Sequence, residues 1–197
     1  MERDFQTRRY IAKQTEGYSR KLTDVLTNAF DMMCKVGDHN GCLSTSVALH
    51  VILRSLGYEP KLCYGLCTGP DGNEIYHAWL ELDDKVIDLA IYGNSRWSPF
   101  WHGRKLNAVV LEEYANTELK YNDHLFDRDW DGCMISMIVK LGSIREYIKA
   151  APAIPHPSNN GMWAVIFAFL GESYTKNRHE ELEQYVSAEH LYGPIEK

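Results

Sequence analysis

The chain changes its hydrophobic period at Pro60, and that change limits the folds open to it. Before it, Leu43, Val47, Val51, Ile52 and Leu56 recur at helical spacing, which predicts a helix from about Cys42 to Leu56. Gly57 stands where a helix C-cap needs a left-handed residue, and Pro60 prevents continuation. From Lys61 to Ile91 the period is two. Lys61–Cys67 reads as a strand, Thr68–Asn73 as a loop, and Asp83-Asp84 as the turn of a hairpin between two further strands. A helix running straight into an antiparallel sheet predicts an α+β domain.

The flanks are read the same way. Leu22, Val25, Leu26, Ala29, Phe30 and Met33 predict a helix from about Ser19 to Lys35, and Gly37–Gly41 supplies turn formers after it. Beyond Asn94 the chain becomes irregular and aromatic, with Trp97, Phe100 and Trp101, which either wall a cleft or seal the core. Helices are then expected near Leu106–Leu119, Cys133–Ala150 and Met162–Val186, with Pro152, Pro155 and Pro157 in a loop between the last two. With 197 residues, 45% of them hydrophobic, one domain covering 1–197 is expected. Its core spans about 19–93, and a helical C-terminal elaboration about 94–197.

Within the period-two region, three residues form a chemical pattern. Cys42 opens its helix, His77 lies in Ile75–Leu82, and Asp88 lies in Lys85–Ile91. If the hairpin turns at Asp83-Asp84, Leu82 faces Lys85, Trp79 faces Asp88 and His77 faces Ala90. His77 and Trp79, two apart on a strand, then share a face with Asp88. The diagonal from Asp88 to His77 is about 7–8 Å, within reach of longer side chains. A slip of one residue would turn Asp88 to the other face.

A cysteine at a helix start meets unpaired N–H groups and the positive end of the helix dipole, which favour thiolate over thiol. An adjacent imidazolium does the same. The pattern suits Cys42 as nucleophile, His77 as base and Asp88 as the acid that orients it. The N–H groups could hold a tetrahedral oxyanion, with Asn40 or His39 as side-chain donors. Trp79 sits beside the site as a candidate substrate contact.

Gly41-Cys42-Leu43, the helix ending Leu56-Gly57-Tyr58, His77-Ala78-Trp79-Leu80-Glu81 and Val86-Ile87-Asp88 together resemble the transglutaminase-like branch of the papain-like cysteine peptidase superfamily. In motif they are closest to the leader-peptidase (B) proteins of lasso-peptide biosynthesis. The resemblance covers about Asn40 to Gly93. It implies a papain/transglutaminase-like core, with Cys on a helix and His and Asp on an antiparallel sheet, and the same three catalytic roles. The papain-type Gln several residues before the Cys is absent, since Val36 stands there.

The expected activity is therefore thiol-dependent hydrolysis or acyl transfer at an amide or peptide bond through a thioacyl intermediate, without cofactor or metal. Arylamine N-acetyltransferases use the same Cys, His, Asp order, but their Arg-Gly-Gly-x-Cys signature is replaced by Asp38-His39-Asn40-Gly41-Cys42. An inactive papain-like scaffold that binds a peptide or protein is the reading from another class.

Other features fit less well. Zinc ligands drawn from Cys34, His39, Cys42, Cys63 and Cys67 are poorly spaced, because Cys63 and Cys67 on a strand stand about 13 Å apart. Asp127, Asp129 and Asp131 open a calcium-loop pattern whose closing Glu position holds Ile138. His50 reads as a packed histidine. A net charge of −6 argues against nucleic acid or an anionic membrane as partner and leaves a peptide or protein substrate. Five cysteines and no apolar leader at the start suit a reducing, cytoplasmic compartment.

Overall fold

The helix that begins at Cys42 is the buried axis of the molecule. In the computed structural model, which describes residues 2–36, 41–92, 106–122, 143–150 and 161–186, the first three helices are α1 (Glu2–Gln14), α2 (Arg20–Val36) and α3 (Cys42–Ser55). Every residue of α3 from Leu43 to Leu53 is buried, so the helix needs apolar neighbours on all sides. It ends as the sequence predicts. Gly57 takes φ 85°, its N–H reaches the Arg54 carbonyl, and the Tyr58 N–H reaches the Leu53 carbonyl. This is the Schellman pattern, and only glycine adopts its left-handed residue without strain.

The sheet follows, with β1 (Lys61–Thr68), β2 (Glu74–Leu82), β3 (Lys85–Asp88), β4 (Val109–Glu113) and β5 (Lys120–Asn122). Its order is β4-β3-β2-β1-β5, and every pairing is antiparallel. The hairpin register is the expected one, with Leu82 opposite Lys85 and Leu80 opposite Ile87. Asp83 and Asp84 have φ values of 53° and 59°, the left-handed pair of a two-residue turn whose twist matches that of the strands.

β4 and β5 occupy opposite edges of the sheet, yet only Tyr114–Leu119 links them, half of it a tight 3₁₀ turn at Tyr114–Asn116. In a flat sheet of five strands those edges would stand about 19 Å apart. The sheet is curled instead, and the Tyr114 and Tyr121 rings approach to 5.9 Å. The curl separates two cores. One face packs Ala78, Leu80, Leu82 and Ile87 against the helices. The other encloses Cys67, Trp79, Val86, Ile91, Leu106, Val109 and Leu119.

A bulge helps make the curl. Ile87 pairs with Val110 and Val86 with Glu112, so Leu111 is the extra residue, at φ 52°. A leucine there costs about 1–2 kcal/mol. The distortion buries both Val110 and Leu111 in the helix-side core.

The predicted helix at Leu106–Leu119 is therefore corrected to strand, turn and strand. Val109-Val110-Leu111 finds an open edge on β3, and tertiary pairing overrides local helix preference. The sheet thus draws two strands from beyond residue 93. After it come α4 (Ile144–Ala150), α5 (Met162–Leu170) and α6 (Lys176–Glu183). The single helix expected over Met162–Val186 is two. Gly171 at φ 70° ends α5, and Thr175 starts α6 by accepting the Arg178 N–H at its side chain. α5 packs on both α2 and α3. The α+β fold is the one expected. Of the predicted helix at Cys133–Ala150, residues 133–142 lie outside the described residues, as do Trp97, Phe100 and Trp101.

Candidate active site

Three elements bring the site together. α3 supplies Cys42 at its first position, after Gly41, which has no side chain to occupy the first-turn N–H groups. β2 supplies His77 and β3 supplies Asp88. Across from His77 on β1 stands Gly65, so no side chain of that strand crowds the imidazole there. His77 is fully buried and Asp88 is 2% exposed, while Cys42 is only half-buried.

The imidazole and the carboxylate meet directly. His77 Nε2 lies 2.7 Å from Asp88 Oδ2. The diagonal reach expected from the hairpin register is thus closed by the two side chains. Since a carboxylate accepts, Nε2 carries the proton. Nδ1 is then the nitrogen with the free lone pair, and it has no hydrogen-bond partner among the described residues.

Burial alone would lower the His77 pKa. Asp88, by its charge and hydrogen bond, and then the neighbouring Cys42, outweigh burial and raise it to about 10. With Nε2 committed to Asp88, Nδ1 is the nitrogen open to the thiol. Chemically, the group can take a thiol proton onto Nδ1, hold it as imidazolium against a buried carboxylate, and leave a thiolate at a helix N-terminus.

Two further thiols, Cys63 and Cys67, lie on β1. Burial, then the charge of Glu81, pushes Cys63 up to about 12 despite Lys61. Burial, then Asp88 and Cys42, holds Cys67 well above its usual value. Among the described residues no group of three His, Cys, Asp or Glu side chains could hold a metal ion. His50 is the packed histidine that its position predicts. Burial, then Arg54, lowers its pKa to about 4 against a hydrogen bond with the Pro60 backbone.

Trp79 is 5% exposed, donates from Nε1 to the Tyr114 hydroxyl at 3.1 Å and rests on the Tyr121 ring at 4.9 Å. It is a wall of the second core rather than an open surface. Asn40 and His39 lie outside the described residues, as do Asp127, Asp129 and Asp131. A cleft of about 340 Å³ lies between α1 and β4, but Cys42, His77 and Asp88 do not line it. Its polar walls are paired internally, Arg3 with the Leu106 carbonyl, Tyr10 with Glu112 and Asn107 with Glu118.

Two contacts escape sequence reasoning. Tyr121 donates its hydroxyl to Asp88 Oδ2 at 2.9 Å, and Ser46 donates to the Ala78 carbonyl at 3.2 Å. Ser46 is detectable in principle, one helical turn after Cys42. Tyr121 gives no signal, because three residues of strand are too short to show a period.

A cysteine-headed helix packed on a curled antiparallel sheet that carries a buried His–Asp pair makes an α+β core. A family model described as transglutaminase-like superfamily matches residues 4–101, the stretch that runs from within α1 past β3 and includes Cys42, His77 and Asp88. Comparison with curated proteins and with solved structures gives no match. No helix among the described residues is long and apolar enough to cross a membrane.

Proposed function

We propose that the chain is a thiol enzyme that cleaves or transfers the acyl group of an amide or peptide bond, with Cys42 as nucleophile, His77 as base and Asp88 as orienting acid. The carrying observation is the buried 2.7 Å contact from His77 Nε2 to Asp88, which leaves Nδ1 as the ring nitrogen free to meet Cys42, a group that acts on the His77 charge. The transglutaminase-like match over the same residues supports the chemistry.

In this reading the Cys42 proton passes to His77 Nδ1 and the thiolate adds to the carbonyl. The α3 first-turn N–H groups receive the oxyanion. The adduct collapses as Nδ1 returns the proton to the leaving amine, giving a thioacyl enzyme. Water or an amine then attacks, its proton taken by Nδ1, and Cys42 is released. Hydrolysis makes a cysteine peptidase or amidase, and an amine acceptor makes an acyl transferase.

The likeness of the His77–Glu81 and Val86–Asp88 motifs to leader peptidases of lasso-peptide biosynthesis favours a peptide substrate. A reducing, cytoplasmic setting suits the free thiols of Cys34, Cys42, Cys63 and Cys67.

The test is site-resolved alkylation by a mild thiol electrophile at about pH 6, where an ordinary thiol of pKa about 8.5 reacts slowly. Cys42 should label fast in wild type and slowly in His77→Ala and Asp88→Ala, with Cys63 and Cys67 slow throughout. Equal labelling of Cys42 and Cys63 would make Cys42 a structural thiol and leave a binding scaffold.

A further inference from the structure

The Asp88 carboxylate is held at both oxygens by groups other than His77. Oδ1 accepts the Ile91 N–H at 3.1 Å, which caps the turn after β3, and Oδ2 accepts the Tyr121 hydroxyl at 2.9 Å. His77 Nε2 comes to that same Oδ2 at 2.7 Å. A carboxylate turns softly about its last torsion. One backbone N–H fixes a single oxygen and leaves the plane free to tilt. A second donor on the other oxygen fixes the plane.

We propose that Tyr121 is a positioning residue of the site, its hydroxyl pinning Asp88 Oδ2 in line with His77 Nε2–H so that the imidazole keeps the orientation and charge the thiol needs. The role rests on the thiol-enzyme reading for its catalytic meaning, but its physical content is the coupling of Tyr121 to His77 through Asp88. Tyr121 comes from β5, at the far edge from β3, and reaches Asp88 because the sheet curls. Its ring is set by Trp79 at 4.9 Å and Tyr114 at 5.9 Å, and burial, then Asp88 and Cys67, holds its own pKa well above the usual value, so it stays a neutral donor.

The groups that act on the His77 charge are Asp88 from β3 and Cys42 from α3, with Tyr121 from β5 and Cys67 from β1 facing Asp88. Because burial opposes the imidazolium, its charge depends on how squarely Asp88 meets Nε2. Loosening Asp88 should therefore release the proton.

The experiment is NMR titration of the imidazole nitrogens in full-length wild type and Tyr121→Phe, with His77→Gln to assign the signal. Tyr121→Phe should lower the His77 midpoint by about one pH unit, which is about tenfold in proton affinity. An unchanged midpoint would make Tyr121 a packing residue. A raised midpoint would make it a competitor for Oδ2, and either result overturns the proposal.

Leu119→Ala, in the same core cluster, controls for loosened packing and should lower the melting temperature without moving the midpoint. Should Tyr121→Phe fold poorly, the same titration is run in an Asp84→Gly background, expected to be stabilised at the β2–β3 turn. The outcomes of the two readings separate. Slow Cys42 labelling in wild type sinks the thiol enzyme, whereas the His77 midpoint alone decides the role of Tyr121.

Discussion

Ser46 Oγ donates to the Ala78 carbonyl at 3.2 Å, one helical turn beyond Cys42 and one residue beyond His77. The bond ties the Cys42 helix to the His77 strand at the point where the two must keep register. Ser46 is 4% exposed, so its partner has little water to fall back on. Ser46→Ala should cost about 1 kcal/mol of stability, read as a lower denaturant midpoint. It should also slow Cys42 labelling at pH 6 as the two elements part. A normal labelling rate in the destabilised variant would show that the clamp serves the fold alone.

The His77–Asp88 pair should make stability fall in alkali. Burial lowers the His77 pKa, but Asp88 and Cys42 raise it to about 10, above the unfolded value of about 6.5. A histidine whose folded pKa is raised stabilises fully below its unfolded pKa, and that contribution is lost as pH climbs through the folded one. Urea midpoints for wild type and a His77→Gln, Asp88→Asn double variant should therefore converge between pH 6.5 and 10. Parallel curves across that window would mean that the pair is not charged.

His50 should act in the opposite direction, in acid. Burial and Arg54 hold its pKa at about 4 in the folded chain, against about 6.5 unfolded. Its neutral form is complete above the unfolded value, and the associated stability is lost as pH falls through about 4. His50→Gln, which can still donate to a backbone carbonyl, should flatten the decline between pH 6.5 and 4. A decline of equal slope in the variant would place the acid sensitivity elsewhere.

Asp84→Gly should stabilise. Asp84 holds φ 59° in the β2–β3 turn, a conformation that costs a non-glycine residue about 1 kcal/mol. Asp83 is the poorer choice because it accepts a hydrogen bond from the Tyr18 hydroxyl at 3.2 Å. The expected result is a denaturant midpoint raised at constant m-value. Any loss of stability would mean that the Asp84 side chain contributes more than its strain costs.

What the sequence discloses follows from which signals are local. The α3 period, the Gly57 cap and the Asp83-Asp84 turn each act within a few residues, and together they set the register that joins His77 to Asp88. α1 escapes notice because only Thr7 and Ile11 along it are buried, too little for a clear apolar stripe. β4 and β5 are set by their partners, since a run such as Val109–Leu111 can be helix or strand until an edge of β3 is offered to it. Tyr121 is invisible for a related reason. Its role arises from the curl of the whole sheet, which no window of sequence contains.

The short outer strands have a consequence for life in a crowded solution. Among the described residues the sheet ends in β5, three residues long, and β4, five residues long with Leu111 bulged out of the ladder. Long, flat, unpaired edges are templates onto which a second chain can add itself. Here one border is too brief to recruit a neighbour and the other is bent out of step with any straight strand. The segment that folds the sheet around Asp88 thereby also discourages edge-to-edge aggregation.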